Sequence, residues 1–175
     1  MRADARRNRA AITSAALQLA GERGEDVSME DIAREAGVGV GTLYRHFPDR
    51  RALLEDIAVD TLRELLAVTR AEVGRTPAWE ALLRLVDTCV ALPLALVKSL
   101  ITDEPQRPEL AESAAEVNAL IAEIVADAQR AGDLRPDVPP MEVVRVLNVA
   151  VCRCGAHVDD YLTRVVLAGL RAPKN

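Results

Sequence analysis

Residues 28–47 read SMEDIAREAGVGVGTLYRHF, two short helical segments joined at a glycine. Ser28 is a natural N-cap, and Asp31 three residues on puts an acidic group in the first helical turn. Ile32, Ala33 and Ala36 then fall on one face of a helix. Gly37 stops that helix, because glycine enters the left-handed region without a Cβ penalty. Val38 is the apolar residue of the turn. A second helix is predicted from about Gly39 to His46, with Leu43 and Phe47 facing inward. Helix, glycine turn, helix is the helix-turn-helix arrangement, whose second helix enters the major groove of DNA.

The pattern continues on both sides. Arg9 to Ala20 reads as an apolar first helix, and Pro48 to Leu54 as a short basic segment. The ordered pieces are DIAREAGV at 31–38, GTLYRHF at 41–47 and PDRRALL at 48–54. This succession resembles the TetR family of transcriptional regulators. The family pattern is an apolar first helix, DIA-x-x-AGV, GTLY-x-HF and a basic segment leading to Ala-Leu. The resemblance implies an all-α fold of about nine helices. A three-helix helix-turn-helix head over residues 1–47 would bind operator DNA. A helical domain over residues 48–175 would hold a small-molecule effector and form the homodimer.

DNA-facing roles follow from the resemblance, position by position. Ser28, as a helix N-cap, can also meet a phosphate. Thr42, Tyr44 and His46 match positions on the exposed side of the second helix, where hydroxyl and imidazole groups suit phosphate oxygens. Arg50 matches a basic position that reaches the DNA backbone. Arg45 is placed for either a guanine edge or a phosphate. Gly39 and Gly41 depart from a side-chain reader, since many members carry a polar residue where Gly39 stands. Backbone and Val40 would therefore approach the groove closely, with Val40 able to touch a thymine methyl. Thin direct readout shifts specificity toward DNA shape and deformability.

Charge and composition fit that reading once segregation is considered. The chain has 175 residues, half of them apolar, enough to bury a core in one or two small domains. Its net charge is −5, which on its face argues against a DNA binder. Residues 1–51 carry nine Arg against eight Asp or Glu, whereas the remainder carries 13 basic and 19 acidic residues. Arg6, Arg7 and Arg9 are expected near DNA, and Arg45, Arg50 and Arg51 bracket the end of the second helix. An acidic remainder limits indiscriminate DNA binding.

The three cysteines, at 89, 152 and 154, form no disulfide framework and suit a reducing compartment. Cys152 and Cys154 would point roughly 200° apart on a helix. His157 follows, but no fourth ligand stands nearby, so no metal site is expected. The segment Ile12–Ala20 is interrupted by Thr13, Ser14 and Gln18, unlike a signal peptide. The longest apolar run, Cys89 to Val97, falls far short of the ~20 residues a membrane span needs. A cytoplasmic protein with no membrane association is expected. No nucleophile–base pair, metal motif or phosphate loop suggests an enzyme, and no cofactor is implied.

Beyond the turn region the chain reads as helix throughout. A first helix is predicted from about Asp4 to Glu22, ended by Gly24. Asp49 caps a long helix closed by Gly74. Thr76 and Pro77 open a helix running to about Ile101, kinked at Pro93. Residues 103–108 are a break. Helices follow at about 109–131, 140–154 and 157–171, with Gly155 between the last two. In the resembled family a pocket lies among the later helices. Here Thr88, Cys89, Pro93 and Leu96 surround the expected kink, Asn118 shares a face with Ile121, and Asn148 and Cys152 lie on a mostly apolar helix. The last two helices carry much apolar surface. Either this is ordinary burial within one bundle, or Val144, Leu147, Val151, Val158, Tyr161, Leu162, Val165 and Val166 meet a symmetry mate; the resemblance implies the second.

The expected function is therefore a sequence-specific DNA-binding regulator, a repressor relieved by a small apolar or amphipathic ligand. The alternative is a regulator without a diffusible ligand, controlled by thiol oxidation or a protein partner.

Overall fold

In the computed structural model, eight helices can be bounded among the described residues, which also hold one isolated antiparallel bridge. They are α1 (Arg2–Arg23), α2 (Met29–Glu35), α3 (Val40–His46), α4 (Arg50–Glu72), α5 (Ala78–Ala91), α6 (Pro108–Arg130), α7 (Pro140–Val151) and α8 (Tyr161–Leu170). The structure describes residues 2–23, 27–95, 97–98, 107–153, 155–157 and 159–173, with the side chains of residues 2, 3 and 21–23 left aside. The expected stop at Gly24 and the residues Leu96, Cys154 and Val158 lie outside the described set. No helix there is long and apolar enough to cross a membrane.

Contacts divide the chain into two units, Met1–Ile57 and Ala58–Asn175. The division falls inside α4 rather than after Phe47. Leu53 and Ile57, on the first turns of α4, are buried, as are the head residues Ile12, Leu19, Ile32 and Leu43 of the same unit.

In the first unit the local signals act as read. The Asp31 N–H donates to Ser28 Oγ at 3.0 Å, and the Ser28 N–H reaches Asp31 Oδ2 at 3.4 Å, a reciprocal capping box. Gly37 has φ 66°, its N–H bonds the Arg34 carbonyl at 3.2 Å, and the Val38 N–H bonds the Ala33 carbonyl at 3.0 Å. That pair of bonds is a Schellman motif, which turns the chain sharply into α3. Asp49 caps α4 through the Ala52 N–H at 2.8 Å.

In the second unit α6 packs on α5 and α7, and α7 packs on α8. A bridge between Leu134 and Arg171 ties the turn after α6 to the end of α8. The Arg135 N–H donates to the Leu170 carbonyl and the Ala172 N–H to the Asp133 carbonyl, each at 3.0 Å. The Arg171 guanidinium then lies 4.3 Å from the centroid of the buried Trp79 ring.

Two expectations are corrected. Pro93 does not kink a continuing helix. α5 ends at Ala91, Leu92 takes an extended backbone, and described helical residues resume at Leu94. Proline cannot supply the N–H that would bond the Cys89 carbonyl, so the helix stops before it. Likewise the helix predicted over 140–154 ends at Val151. Gly155 has φ 70°, and Asp160 caps α8 by accepting the Thr163 N–H at 2.8 Å.

Candidate nucleic-acid interface and ligand cavity

α3 is held from behind by two apolar anchors, since Leu43 and Phe47 are buried in the first unit. Its other side is open. Val40, Gly41, Tyr44 and Arg45 are exposed, Thr42 and His46 are half-buried, and Ser28 and Gly39 are exposed nearby in sequence. A Cβ built on Gly41 would meet nothing within 4 Å, and one on Gly39 only Thr42 Oγ1 at 3.9 Å. The protein's own packing therefore does not require glycine at either position.

Two arginines make intramolecular bonds that the sequence did not signal. Arg45 folds along its own helix, its Nε donating to the Gly41 carbonyl at 3.0 Å. Arg50 donates to the Val27 carbonyl, tying the start of α4 to the residue before the α2 cap. The N-terminal arginines differ among themselves. Arg7 pairs with Asp4 on the surface, whereas Arg9 pairs with the buried Asp56 at 2.6 Å. Arg9, expected near DNA, thus also holds α1 to α4.

A cavity of about 190 Å³ opens in the second unit. Among the described residues its wall includes five of the expected positions: Cys89, Asn118, Ile121, Asn148 and Cys152. Thr88 is not among them, because its hydroxyl turns back to the Arg84 carbonyl at 2.9 Å. Pro93 is not among them either. The chain restarts after it, and Leu94 and Val97 supply the wall instead. Leu62, Leu65, Ala114, Val117 and Lys98 complete it. Ala114 and Val117 were findable, since they share the helical face of Asn118 and Ile121.

The cavity's polar groups are connected. Asn148 Nδ2 donates to Asn118 Oδ1 at 3.2 Å, and Cys152 Sγ approaches Asn148 Oδ1 at 3.9 Å. Burial pushes the Cys89 thiol up to about 12, and burial also raises Cys152 against the opposing charge of Lys98. Among the described residues no group of three His, Cys, Asp or Glu is placed to hold a metal ion.

The residues expected at a dimer interface fall into two sets. Val144, Leu147 and Val151 are buried in the protomer itself, Val144 to 1% exposure. They belong to its core, because α7 presents that stripe to α6 and α8. Tyr161 and Val165 are 85% and 67% exposed, Leu162 is exposed and Val166 half-buried. Val149 of α7, 59% exposed, and its neighbours Met141 and Val146 add to the exposed apolar surface of this pair of helices.

Residues 12–57 match the family described as bacterial regulatory proteins, tetR family, and residues 75–172 match the SbtR-like transcriptional regulator C-terminal domain. An HTH-type transcriptional regulator of Staphylococcus aureus (strain USA300) is 52% identical over 54 residues, 30% of this chain and 29% of that protein. The match thus spans under a third of that relative. The crystal structure of a TetR transcription regulatory protein from Mycobacterium vanbaalenii is similar along the whole chain. It shares 34% identity with a TM-score of 0.70, covering 98% of this chain and 99% of that one. A gamma-butyrolactone receptor (ArpA-like protein) superposes with a TM-score of 0.72 at 25% identity, covering 97% of this chain and 90% of that one. With both halves matched in order and a full-length structural relative, the chain belongs to the TetR family of bacterial transcriptional regulators.

Proposed function

We propose that the protein is a homodimeric, cytoplasmic, sequence-specific DNA-binding regulator, a repressor that a small apolar or amphipathic effector releases from its operator. The observation that carries the reading is the open side of α3. A short helix is fixed by Leu43, Phe47 and the Gly37 turn, while Val40, Thr42, Tyr44, Arg45 and His46 are left accessible. Tyr44, Thr42, His46, Ser28 and Arg50 are assigned to phosphates, and Gly39, Val40 and Gly41 to close approach in the groove. In the dimer two such helices would read half-sites about 34 Å apart.

The cavity supports the effector half of the reading. It is mostly apolar with a few joined polar groups, the usual make-up of a small-molecule site. A gamma-butyrolactone receptor (ArpA-like protein) has the same fold, which favours a compact amphipathic effector. α4 carries cavity residues Leu62 and Leu65 on the same helix that begins with Arg50, so an effector has a continuous element to act on. Control by thiol oxidation is disfavoured, because burial keeps both cavity thiols protonated.

Selection of bound fragments from a random DNA pool tests the DNA half. The expected result is a two-fold-related site with log K falling against log salt at a slope of about −5 or steeper. No enrichment, or a flat salt profile on the best site, overturns it. For the effector half, Ala114→Phe fills the cavity without touching residues 1–57. A folded variant that binds the operator as before and still answers an inducer would remove the cavity from the mechanism.

A further inference from the structure

The polar groups of the cavity form a directed chain with an open end. The Cys152 thiol points its weak donor at Asn148 Oδ1, Asn148 Nδ2 donates to Asn118 Oδ1, and Asn118 Nδ2 has no protein acceptor among the described residues. Donation along such a chain polarises the next amide, so the last N–H group is the strongest donor. Cys89 adds a protonated thiol rather than an anion, since burial holds its proton to about 12. Apart from Lys98, which already has an interaction of its own, the remaining described wall is aliphatic, formed chiefly by Leu62, Leu65, Leu94, Val97, Val117 and Ile121. Among the described residues no aromatic side chain lines it, so a flat ring finds no stacking partner there.

We propose that the effector is a compact, neutral, aliphatic molecule carrying one carbonyl oxygen, a lactone, ester or ketone, which accepts from Asn118 Nδ2. This rests on the reading of the cavity as an effector site and adds which chemistry it selects. The open amide donor recognises an acceptor. The aliphatic wall takes an alkyl body of modest length, because the cavity is smaller than the ~300–1,000 Å³ of drug-sized clefts. Selectivity against a plain hydrocarbon arises because a hydrocarbon displaces water from the amide donor without replacing its hydrogen bond.

Isothermal titration with γ-nonalactone, toluene and octanoate tests this on the full-length protein and on Asn118→Leu and Asn118→Asp. Toluene reports whether the cavity accepts any small apolar guest. The lactone should bind wild type and lose about tenfold or more in each variant, while toluene binds wild type and Asn118→Leu alike. The bound lactone's infrared carbonyl band should sit at lower frequency in wild type than in Asn118→Leu. Two substitutions of opposite polarity guard against a folding defect in one, and circular dichroism checks both.

Toluene binding with lactone affinity and carbonyl frequency indifferent to Asn118 overturns this proposal and leaves the cavity reading standing. Octanoate binding more tightly than the lactone, with the advantage lost in Lys98→Met, likewise overturns the neutral-carbonyl assignment. If neither toluene nor the lactone binds, the effector-site reading itself fails, and this proposal with it.

Discussion

The Arg9 guanidinium on α1 meets the buried carboxylate of Asp56 on α4 at 2.6 Å, across almost the whole sequence of the first unit. Asp56 is the sheltered partner and Arg9 the half-open one, so removing the arginine takes a countercharge from a buried carboxylate, whereas the reverse change leaves a cation that water still reaches. Arg9→Met should therefore destabilise the protein by about 2–4 kcal/mol, and Asp56→Asn by less. Urea denaturation monitored by circular dichroism measures both. If Arg9→Met is neutral in stability but lowers DNA affinity and its salt slope, the arginine faces phosphate and the ion pair is incidental.

The glycines of α3 give a second, sharper test. Neither Gly39 nor Gly41 has a positive φ, and a Cβ on Gly41 meets no protein atom. Gly41→Ala should thus fold at least as well as wild type, with a gain of up to about 1 kcal/mol from helix propensity. If the DNA backbone or a base edge comes close there, the added methyl costs operator affinity, by about tenfold. Thermal melting and fluorescence anisotropy on one operator separate the two effects. A variant that is both more stable and equally tight would move the close approach elsewhere on α3.

How much of this was legible in the sequence depends on how local the cause is. The Ser28 cap, the turn at Gly37 and the anchors Leu43 and Phe47 each act within a few residues, and the structure realises them as read, with Asp31 closing a reciprocal capping box as well. The Arg9–Asp56 and Asn118–Asn148 partnerships join residues far apart in the chain, so no periodicity announces them. α7 was ambiguous for a different reason. Its sequence VVRVLNVAV has valine on nearly every side, so hydrophobicity alone could not sort the buried Val144 and Val151 from the exposed Val146 and Val149. Pro93 was recognised as a disruption, but a kink and a stop look alike in sequence.

That sorting of valines predicts opposite outcomes for two substitutions. Val165→Asp replaces an exposed residue, so it should leave the protomer folded and shift the dimer to monomer, because a dimer would bury the carboxylate unpaired. Val151→Ala lies in the protomer core and should cost about 1–3 kcal/mol of stability without changing the dimerisation constant. Sedimentation equilibrium and denaturation, run on both, check the pair. An unchanged sedimentation profile for Val165→Asp would place the interface away from α8.

The thiols supply a prediction in pH. Desolvation, and secondarily Cys152, raise the Cys89 thiol from 9.0 to about 12 in the folded protein. A group whose folded value lies above its unfolded value binds its proton more firmly when folded. Its stabilising contribution is complete below the unfolded value and disappears as pH rises through the folded one. Stability should therefore fall from about pH 9 upward, and Cys89→Ala should fall less steeply over the same range. At neutral pH the same shift leaves almost no thiolate, so iodoacetamide should label Cys89 far more slowly than a thiol in unfolded protein. The two measurements are complementary, because slow labelling also follows from restricted access, whereas the pH dependence of the unfolding midpoint reports the shifted proton affinity itself. Parallel midpoints for wild type and Cys89→Ala, together with labelling at the unfolded rate, would show an accessible and ordinary thiol. Control through cysteine oxidation would then displace the diffusible effector as the better account of how this regulator is switched.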